Sequence, residues 1–399
     1  MKTKILFVDD EPNVLAGLRR MLRGQRKMWD MMFACGGSEA LEMLSQQRVD
    51  VIVSDMRMPG IDGAELLQRV SKEYPNTVRI VLSGQSEHEK IFRAVGPAHQ
   101  YMSKPCDPTL LVETIVRACG LQSQLGSPQL INLTSRLTAL PSLPHIYVEL
   151  LEELESDDAS IERIGNKIGS DVAMTARILQ LVNSSFFGLP QKVSSASHAV
   201  SLLGLNIIRP LALTANTFTQ FSEPDIAGFD LNQLTQHSLA VATTARRIAE
   251  SESNDAQTVD DAFTAGMLHD IGKLVLATNL SSEYAEAIDL ATREKKPLWK
   301  AETCVFGASH AEVGAHLLGL WGLPVPIVEA VALHHRPTAA SDRRFCPLTA
   351  VYAAEILQSS GGNANAITEQ RPWDTGYIES IGLTSRLGQW ETIGQATEV

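Results

Sequence analysis

Four apolar runs early in this chain each stop at a polar residue able to do chemistry. Asp55 closes Val51-Ile52-Val53-Ser54 and is followed by Met56-Arg57-Met58-Pro59-Gly60. Asp9 and Asp10 close Ile5-Leu6-Phe7-Val8, Ser83 closes Val78-Arg79-Ile80-Val81-Leu82, and Lys104-Pro105 closes a fourth run. In a doubly wound parallel sheet the carboxyl ends of the strands share one rim, so these groups converge. Three carboxylates in one pocket repel one another unless a cation lies between them, and Mg²⁺, which takes carboxylate oxygens and keeps several waters, suits the place. Ser83 and Lys104 add a hydroxyl and an ammonium to that pocket. A single Asp after an apolar strand more often caps the next helix or makes a turn. It is the repetition at four run ends that points to a site.

A second set of candidates lies further along. Seven of the ten histidines follow residue 197, among them His237, His269 beside Asp270, His310, and the pair His334-His335. Histidines on several helices with an adjacent Asp can supply nitrogen and oxygen ligands to one or two transition-metal ions, which would activate water for attack on phosphorus. Lys273, about one turn beyond Asp270, could offset charge on a bound phosphate. The plainer alternative is a set of buried, hydrogen-bonded histidines in a helix bundle core.

The elements that must position these groups divide the chain in two. Up to about Ala118, short β runs alternate with helical stretches at Val14 to Arg23, Ser38 to Gln46, Ala64 to Lys72, His88 to Val95 and Thr109 to Ala118. That alternation predicts a parallel sheet covered by helices. From Gly120 to Pro128 the composition turns to Gln, Ser, Gly and Pro, as in a linker or a broken helix extension. Beyond it, apolar spacings of three and four, as in Ile161-Ile164-Ile168 and Met174-Ile178-Leu179-Val182, predict a mostly helical second half. The glycines at 165 to 169 and 314 to 322 follow no strand, so they suit helix contacts and caps better than a nucleotide loop. Trp373, Tyr377 and Trp390 are expected in packed C-terminal helices and carry no functional assignment.

The 399 residues, 44% hydrophobic and 20% charged, suit two or three globular units. A net charge of −12 disfavours nonspecific binding to DNA or anionic lipid, so no direct DNA binding is expected. No apolar stretch suggests a membrane span and the chain begins directly with a strand, so a cytoplasmic protein without membrane insertion is expected. The five cysteines form no CxxC pair and are expected to be reduced.

Asp9-Asp10, Asp55 with MPGIDG after it, Ser83, Tyr101 and Lys104-Pro105 resemble the receiver domain of two-component response regulators, over roughly residues 1 to 120. The resemblance implies a flavodoxin-like five-stranded doubly wound sheet with Asp55 as phospho-acceptor. It implies Mg²⁺ held by Asp9, Asp10, Asp55 and the Arg57 carbonyl, Lys104 and Ser83 on the phosphoryl group, and Tyr101 as an aromatic switch. It also implies a cis Lys104-Pro105 bond and a sensor histidine kinase or phosphotransfer protein as partner.

After a linker at residues 121 to 136, the segments LPSLPHIYVELLEEL, SDVAMTARILQLVNSSFFGLPQKVSSASHAVSLLG, AGMLHDIGKLVL, HAEVGAHLLGLWGLP and IVEAVALHHRP resemble the HDOD domain, a relative of the HD phosphohydrolases. This assigns residues 137 to 399 to an all-helical output module acting through contacts with other proteins, as a homodimer or with a signalling partner. Carried over from the HD pattern, a second metal set falls on His237, His269, Asp270, His310, His334 and His335, with Glu355 in place of the final Asp. The glycine-rich GYP loop of cyclic dinucleotide phosphodiesterases is missing, since His335 is followed by Arg336-Pro337-Thr338. Two functions are therefore expected in competition. One is a phosphorylation-controlled interaction protein; the other is a receiver-gated metal-dependent phosphohydrolase or cyclic dinucleotide phosphodiesterase.

Overall fold

The computed structural model describes residues 2–74, 76–84, 98–104, 106–124, 141–142, 149–150, 152–154, 156, 158–183, 192–205, 208, 219–220, 226–360 and 372–395. The expected helix at His88 to Val95, Pro105, Leu143-Pro144 and the side chain of Ser83 lie outside the described residues.

Five parallel strands form the N-terminal sheet: β1 (Thr3–Val8), β2 (Trp29–Ala34), β3 (Val51–Asp55), β4 (Val78–Gly84) and β5 (Gln100–Lys104), in the order β2-β1-β3-β4-β5. Every residue of β3 is buried, which is why it reads as an unbroken apolar run rather than an alternating one. β2 was not singled out in the sequence. It is an edge strand, half-buried at Met31 to Phe33, and its Met31-Met32-Phe33-Ala34 run is followed by Cys35-Gly36 rather than by a charged or hydroxyl residue. Helices α1 (Pro12–Met21), α2 (Gly37–Gln46), α3 (Gly63–Glu73) and α4 (Pro108–Gln124) cover the sheet. α4 runs four residues past the expected boundary at 120, so the start of the expected linker continues a helix.

The chain order reverses between β1 and β3, and a doubly wound sheet opens its crevice at that point. Asp9 and Asp10 follow β1 and Asp55 ends β3, with Val8 paired to Ser54 and Asp55 to Leu82. Asp62 caps α3 by accepting from the Glu65 amide at 2.8 Å. Gly63 starts that helix because no side chain fits there: a Cβ would lie 2.1 Å from the Asp55 carbonyl oxygen. The IDG part of the MPGIDG run therefore seats α3 directly on the end of β3.

The second half is helical, with one small addition. Pro141–Ser142 (β6) and Thr219–Gln220 (β7) pair as a two-stranded parallel sheet. The helices are α5 (Ile161–Gly169), α6 (Val172–Val182), α7 (Ala196–Leu203), α8 (Leu231–Glu252), α9 (Ala256–Leu268), α10 (Ile271–Asn279), α11 (Ser281–Glu294), α12 (Leu298–Phe306), α13 (His310–Leu320), α14 (Val325–Leu333), α15 (Pro347–Ser360), α16 (Thr375–Ser380) and α17 (Leu387–Gln395). All of α13 is buried except the half-buried Glu312, and Ser309 with Glu312 forms a capping box at its start. Asp230 and Asp255 cap α8 and α9 through side-chain oxygens that accept from backbone amides. Gly272 is required where α10 crosses α13, since a Cβ there would lie 1.9 Å from the His310 carbonyl oxygen. Trp373, Tyr377 and Trp390 pack together with Tyr352, as expected of C-terminal core aromatics. No helix among the described residues is long and apolar enough to cross a membrane.

Candidate functional site

At the rim of the sheet, Asp9 and Asp55 are both nearly closed off from solvent, and Lys104 from the end of β5 reaches between them. Its ammonium lies 2.7 Å from Asp9 Oδ2 and forms an ion pair with Asp55 Oδ1. The other oxygen of each acid is held by backbone: Asp9 Oδ1 accepts from the Glu11 amide and Asp55 Oδ2 from the Arg57 amide, each at 2.9 Å. Asp10, next in the chain after Asp9, is half-buried, and its carbonyl accepts from the Cys35 thiol at 3.5 Å.

Burial pushes the Asp55 carboxyl above its ordinary range, and the Lys104 hydrogen bond and charge only partly reverse this. Burial alone would lower Lys104. Its hydrogen bonds to Asp55 and Asp9, with their charges, outweigh burial and raise it. A lysine with these partners remains an ammonium at neutral pH. Asp55 is thus held by one cation and one backbone amide, with one oxygen on each. Tyr101, three residues before Lys104 on the same strand, is fully buried, its hydroxyl 3.4 Å from the Ala98 carbonyl. Ser83 lies in β4 opposite Ser103.

The second site gathers residues from six helices and their ends. His269 and Asp270 lie in the turn between α9 and α10, His310 starts α13, His334-His335 follow α14, His237 is on α8 and Glu355 on α15. His237 Nε2 is 3.0 Å from Glu355 Oε2, and His269 Nε2 is 3.3 Å from both Glu355 Oε2 and Asp270 Oδ2. His310 Nε2 is 3.1 Å from Asp270 Oδ1 and 2.9 Å from His335 Nε2. Two groups emerge whose ligand atoms lie within 4.8 Å of one another: His237, His269 and Asp270, and His310, His334 and His335. Asp270, with one oxygen towards each group, stands between them.

The Nδ1 atoms of three of these rings are committed elsewhere. His269 Nδ1 pairs with the Gly266 carbonyl at 2.7 Å, His334 Nδ1 with the Val331 carbonyl at 2.8 Å, and His310 Nδ1 with Glu302 Oε2 at 2.6 Å. A neutral ring that donates from Nδ1 presents its Nε2 lone pair, the arrangement in which outer partners set histidines for metal ligation. His334 Nε2 is buried without a hydrogen-bond partner, and His269 Nε2 and Asp270 Oδ1 meet only other residues of the cluster. The donor set therefore fits a divalent transition metal.

Charge tells the same story. Asp270, Glu302 and Glu355 bring three carboxylates, and Lys273, 2.6 Å from Asp270 Oδ2, brings one ammonium. The remaining two negative charges match either two imidazolium protons or one divalent cation. Without a metal, His269 is raised to about 10: burial opposes its charge, but Asp270 and Glu355 overcome it. His310 rises as well, since Glu302 and Asp270 outweigh burial, whereas burial and the charges of His269 and His310 push His334 well down. Among cluster acids, burial would raise Asp270 and Glu355, but the neighbouring histidines and Lys273 hold Asp270 low and the histidines hold Glu355 low.

Every expected residue of the histidine set is brought together, Glu355 included. Lys273 differs from expectation: it is buried and committed to Asp270 rather than offered to a phosphate. Glu302 was missed. It is completely buried and accepts both the backbone and ring N–H groups of His310, yet an isolated Glu within a helix gives no linear signal.

Comparison with known proteins yields two family models: the response regulator receiver domain over residues 5–116 and the HDOD domain over residues 140–337. The crystal structure of the MmoQ response regulator from Methylococcus capsulatus is 26% identical, with a TM-score of 0.50, covering 63% of this chain and 98% of that one. An uncharacterised Treponema pallidum protein is 24% identical over 247 residues, 62% of this chain and 47% of its own. The hydrogenase transcriptional regulatory protein HoxA of Cupriavidus necator is 35% identical over 168 residues, 42% of this chain and 34% of its own. The chain thus spans less than half the length of these two curated relatives.

Proposed function

Because this chain belongs to the response regulators that join an N-terminal receiver domain to an HDOD domain, we propose that phosphoryl transfer to Asp55 controls an output made by protein contacts of the helical module. The observation that carries this reading is the Asp55 carboxylate at the switch point of the sheet, paired with Lys104. An Asp55 oxygen attacks phosphorus of a phosphohistidine on a sensor kinase or phosphotransfer protein. The new O–P bond forms as the N–P bond breaks, and the imidazole leaves with the bonding pair. Lys104 moves from carboxylate to phosphoryl oxygens, and the Ser83 hydroxyl, on the neighbouring strand, donates only once that group is present. Mg²⁺, which receiver domains generally bind, would be held by Asp9, Asp10, Asp55 and the Arg57 carbonyl and would offset charge on the transferred group.

In this reading residues 1–120 receive the phosphoryl group, 121–136 connect, and 137–399 act as output, in the cytoplasm and without contact to DNA. The output partner is another protein or a second copy of this chain. Intact mass after incubation with acetyl phosphate and Mg²⁺ should show one added phosphoryl group in the wild type and none in Asp55→Asn. Equal labelling of both would sink the proposal.

A second reading is favoured by the two ligand groups around Asp270. Here the HDOD module is a metal-dependent phosphohydrolase gated by the receiver. His237, His269, Asp270, His310, His334, His335 and Glu355 would hold transition metal, which when bound supplies a water of lowered pKa. Elemental analysis of the purified chain decides it: stoichiometric metal lost in His269→Ala supports the reading, and a metal-free wild type after reconstitution ends it.

A further inference from the structure

The chain carries −12 overall, yet between Glu11 and Asp30 it holds no acid and five cations: Arg19, Arg20, Arg23, Arg26 and Lys27. They lie at the end of α1 and in the 3₁₀ turn Arg23–Lys27 after it, all exposed, and none forms an ion pair among the described residues. Lys2 joins them, its ammonium donating to the Arg26 carbonyl at 2.7 Å. Lys2, Arg19 and Arg26 rim a cavity of about 340 Å³ whose other walls are Trp29, Asp30, Met31 and Phe33 of the edge strand β2. Arg19 lies over the Phe33 ring at 4.5 Å, and Phe33 stacks on Phe7. Met28, just before β2, is 56% exposed. Three cations and one acid around a largely apolar, aromatic floor suit an apolar side chain flanked by carboxylates.

The helical half of the chain displays such a group. Residues 149–167 hold seven acids against two cations, a local charge of −5. Ile161, the first residue of α5, is 40% exposed and has the exposed Asp158 and Glu162 near it in the chain. Arg163 is paired with Glu153 and Asp158, and Lys167 with Glu149, which leaves Glu152 and Glu162 uncommitted. Among the described residues no hydrogen bond or ion pair joins this region to the basic one within a single chain.

We propose that the cavity beside β2 receives Ile161 and its neighbouring acids from a second copy of this chain. Two chains of −12 repel except where the basic face of one meets an acidic face of the other, so the sign of the charge selects this pairing. The two patches differ, so the contact is heterologous: each bound copy still offers one patch of each kind, and growth gives rings or chains rather than a two-fold dimer. The contact links the receiver of one copy to the helical module of the next. It does not depend on the role of Asp55, because Lys2 and Trp29 place the cavity towards the amino ends of strands whose carboxyl ends carry Asp9 and Asp55.

Sedimentation velocity on the full chain over a concentration series tests this. The wild type should self-associate, with a Kd at least about tenfold weaker in about 0.5 M than in about 0.05 M NaCl, because the charges that meet are exposed to screening. Arg19→Glu with Arg26→Glu, and separately Glu152→Lys with Glu162→Lys, should each weaken assembly by at least about tenfold. An equimolar mixture of the two variants should recover it, since each carries the sign the other lacks. A wild type that stays monomeric, variants that assemble as the wild type does, or a mixture no better than its components would overturn the proposal. Should a variant fail to fold, carbodiimide cross-linking of isotope-labelled with unlabelled wild type decides. Mixed-isotope links from Lys2 or Lys27 to acids within residues 149–162 support the contact, and their absence overturns it.

Discussion

Replacing Gly63 by alanine puts a methyl carbon 2.1 Å from the Asp55 carbonyl oxygen and 2.9 Å from Met56 Cα, where ordinary contact begins at 3.4 Å. Both obstacles are backbone, so no side chain can swing aside. The start of α3 and the end of β3 must separate by about 1.3 Å, the difference between 3.4 and 2.1 Å. That stretches the hydrogen bond from the Gly63 amide to the Met56 carbonyl, now 3.0 Å, past its useful range. Losing it costs roughly 1 kcal/mol. Overpacking adds roughly 1–3 kcal/mol, so the variant should lose about 2–4 kcal/mol in urea unfolding. Function should fall further than stability, because an error of about 1 Å at a reacting carboxylate costs on the order of 10²-fold in rate. Phosphorylation by acetyl phosphate, followed by intact mass, reads that loss. Gly17→Ala is the control: nothing lies within 4 Å of its Cβ, and it sits in α1, so it should stabilise by about 0.5–1 kcal/mol. A Gly63→Ala protein with wild-type unfolding midpoint and phosphorylation rate would refute this account of the MPGIDG run.

Lys104→Ala leaves the Asp9 and Asp55 carboxylates without their shared cation, so phosphorylation of Asp55 should slow by roughly 10²-fold; an unchanged rate by intact mass counts against the pairing. In metal-free buffer, the raised pKa of His269 makes a pH prediction. Its folded value, about 10, exceeds the unfolded 6.5, so its stabilisation is fully present below about pH 6.5 and is lost as pH rises through 10. Wild type should therefore lose roughly 3 kcal/mol more than His269→Gln between pH 6 and pH 9 in urea unfolding, and parallel pH profiles would contradict the ion pair. Lys273→Met removes the ammonium from the buried Asp270 carboxylate and leaves it only the histidines, costing up to roughly 3–5 kcal/mol in metal-free protein. A saturating divalent ion, if the cluster takes one, should recover most of that loss in the melting temperature, and absence of rescue argues for a purely structural cluster. Glu302→Gln keeps the shape but removes the acceptor charge on His310, and should weaken metal binding by roughly 10- to 100-fold if the second reading holds.

What the sequence determined was largely the set of groups that end buried strands. β1, β3 and β4 are visible because a sheet covered on both faces demands largely apolar runs, interrupted in β4 only by the buried Arg79, and a polar residue closing such a run is conspicuous. The half-exposed β2 lacked that contrast and went unseen. The same logic of contrast picked out His237, His269, Asp270, His310, His334 and His335, because charged and imidazole side chains are rare inside helix cores, whereas Glu355 came only from the resemblance to the HD pattern.

Only the tertiary structure decided how these groups are used. That Lys104 is shared by Asp9 and Asp55, that Lys273 is spent on Asp270, and that Glu302 fixes the His310 ring depend on distances of 2.6–2.7 Å between residues on different elements or turns. Gly63 and Gly272 mark places where two backbones touch, and a glycine in sequence does not say what it touches. The contact between the two halves through Gln100 and Gln180, which donate to the Leu320 and Ala98 carbonyls, was least legible of all. Glutamine is ordinary on a surface, and only burial against a carbonyl from the other half of the chain turns it into a link between the two domains.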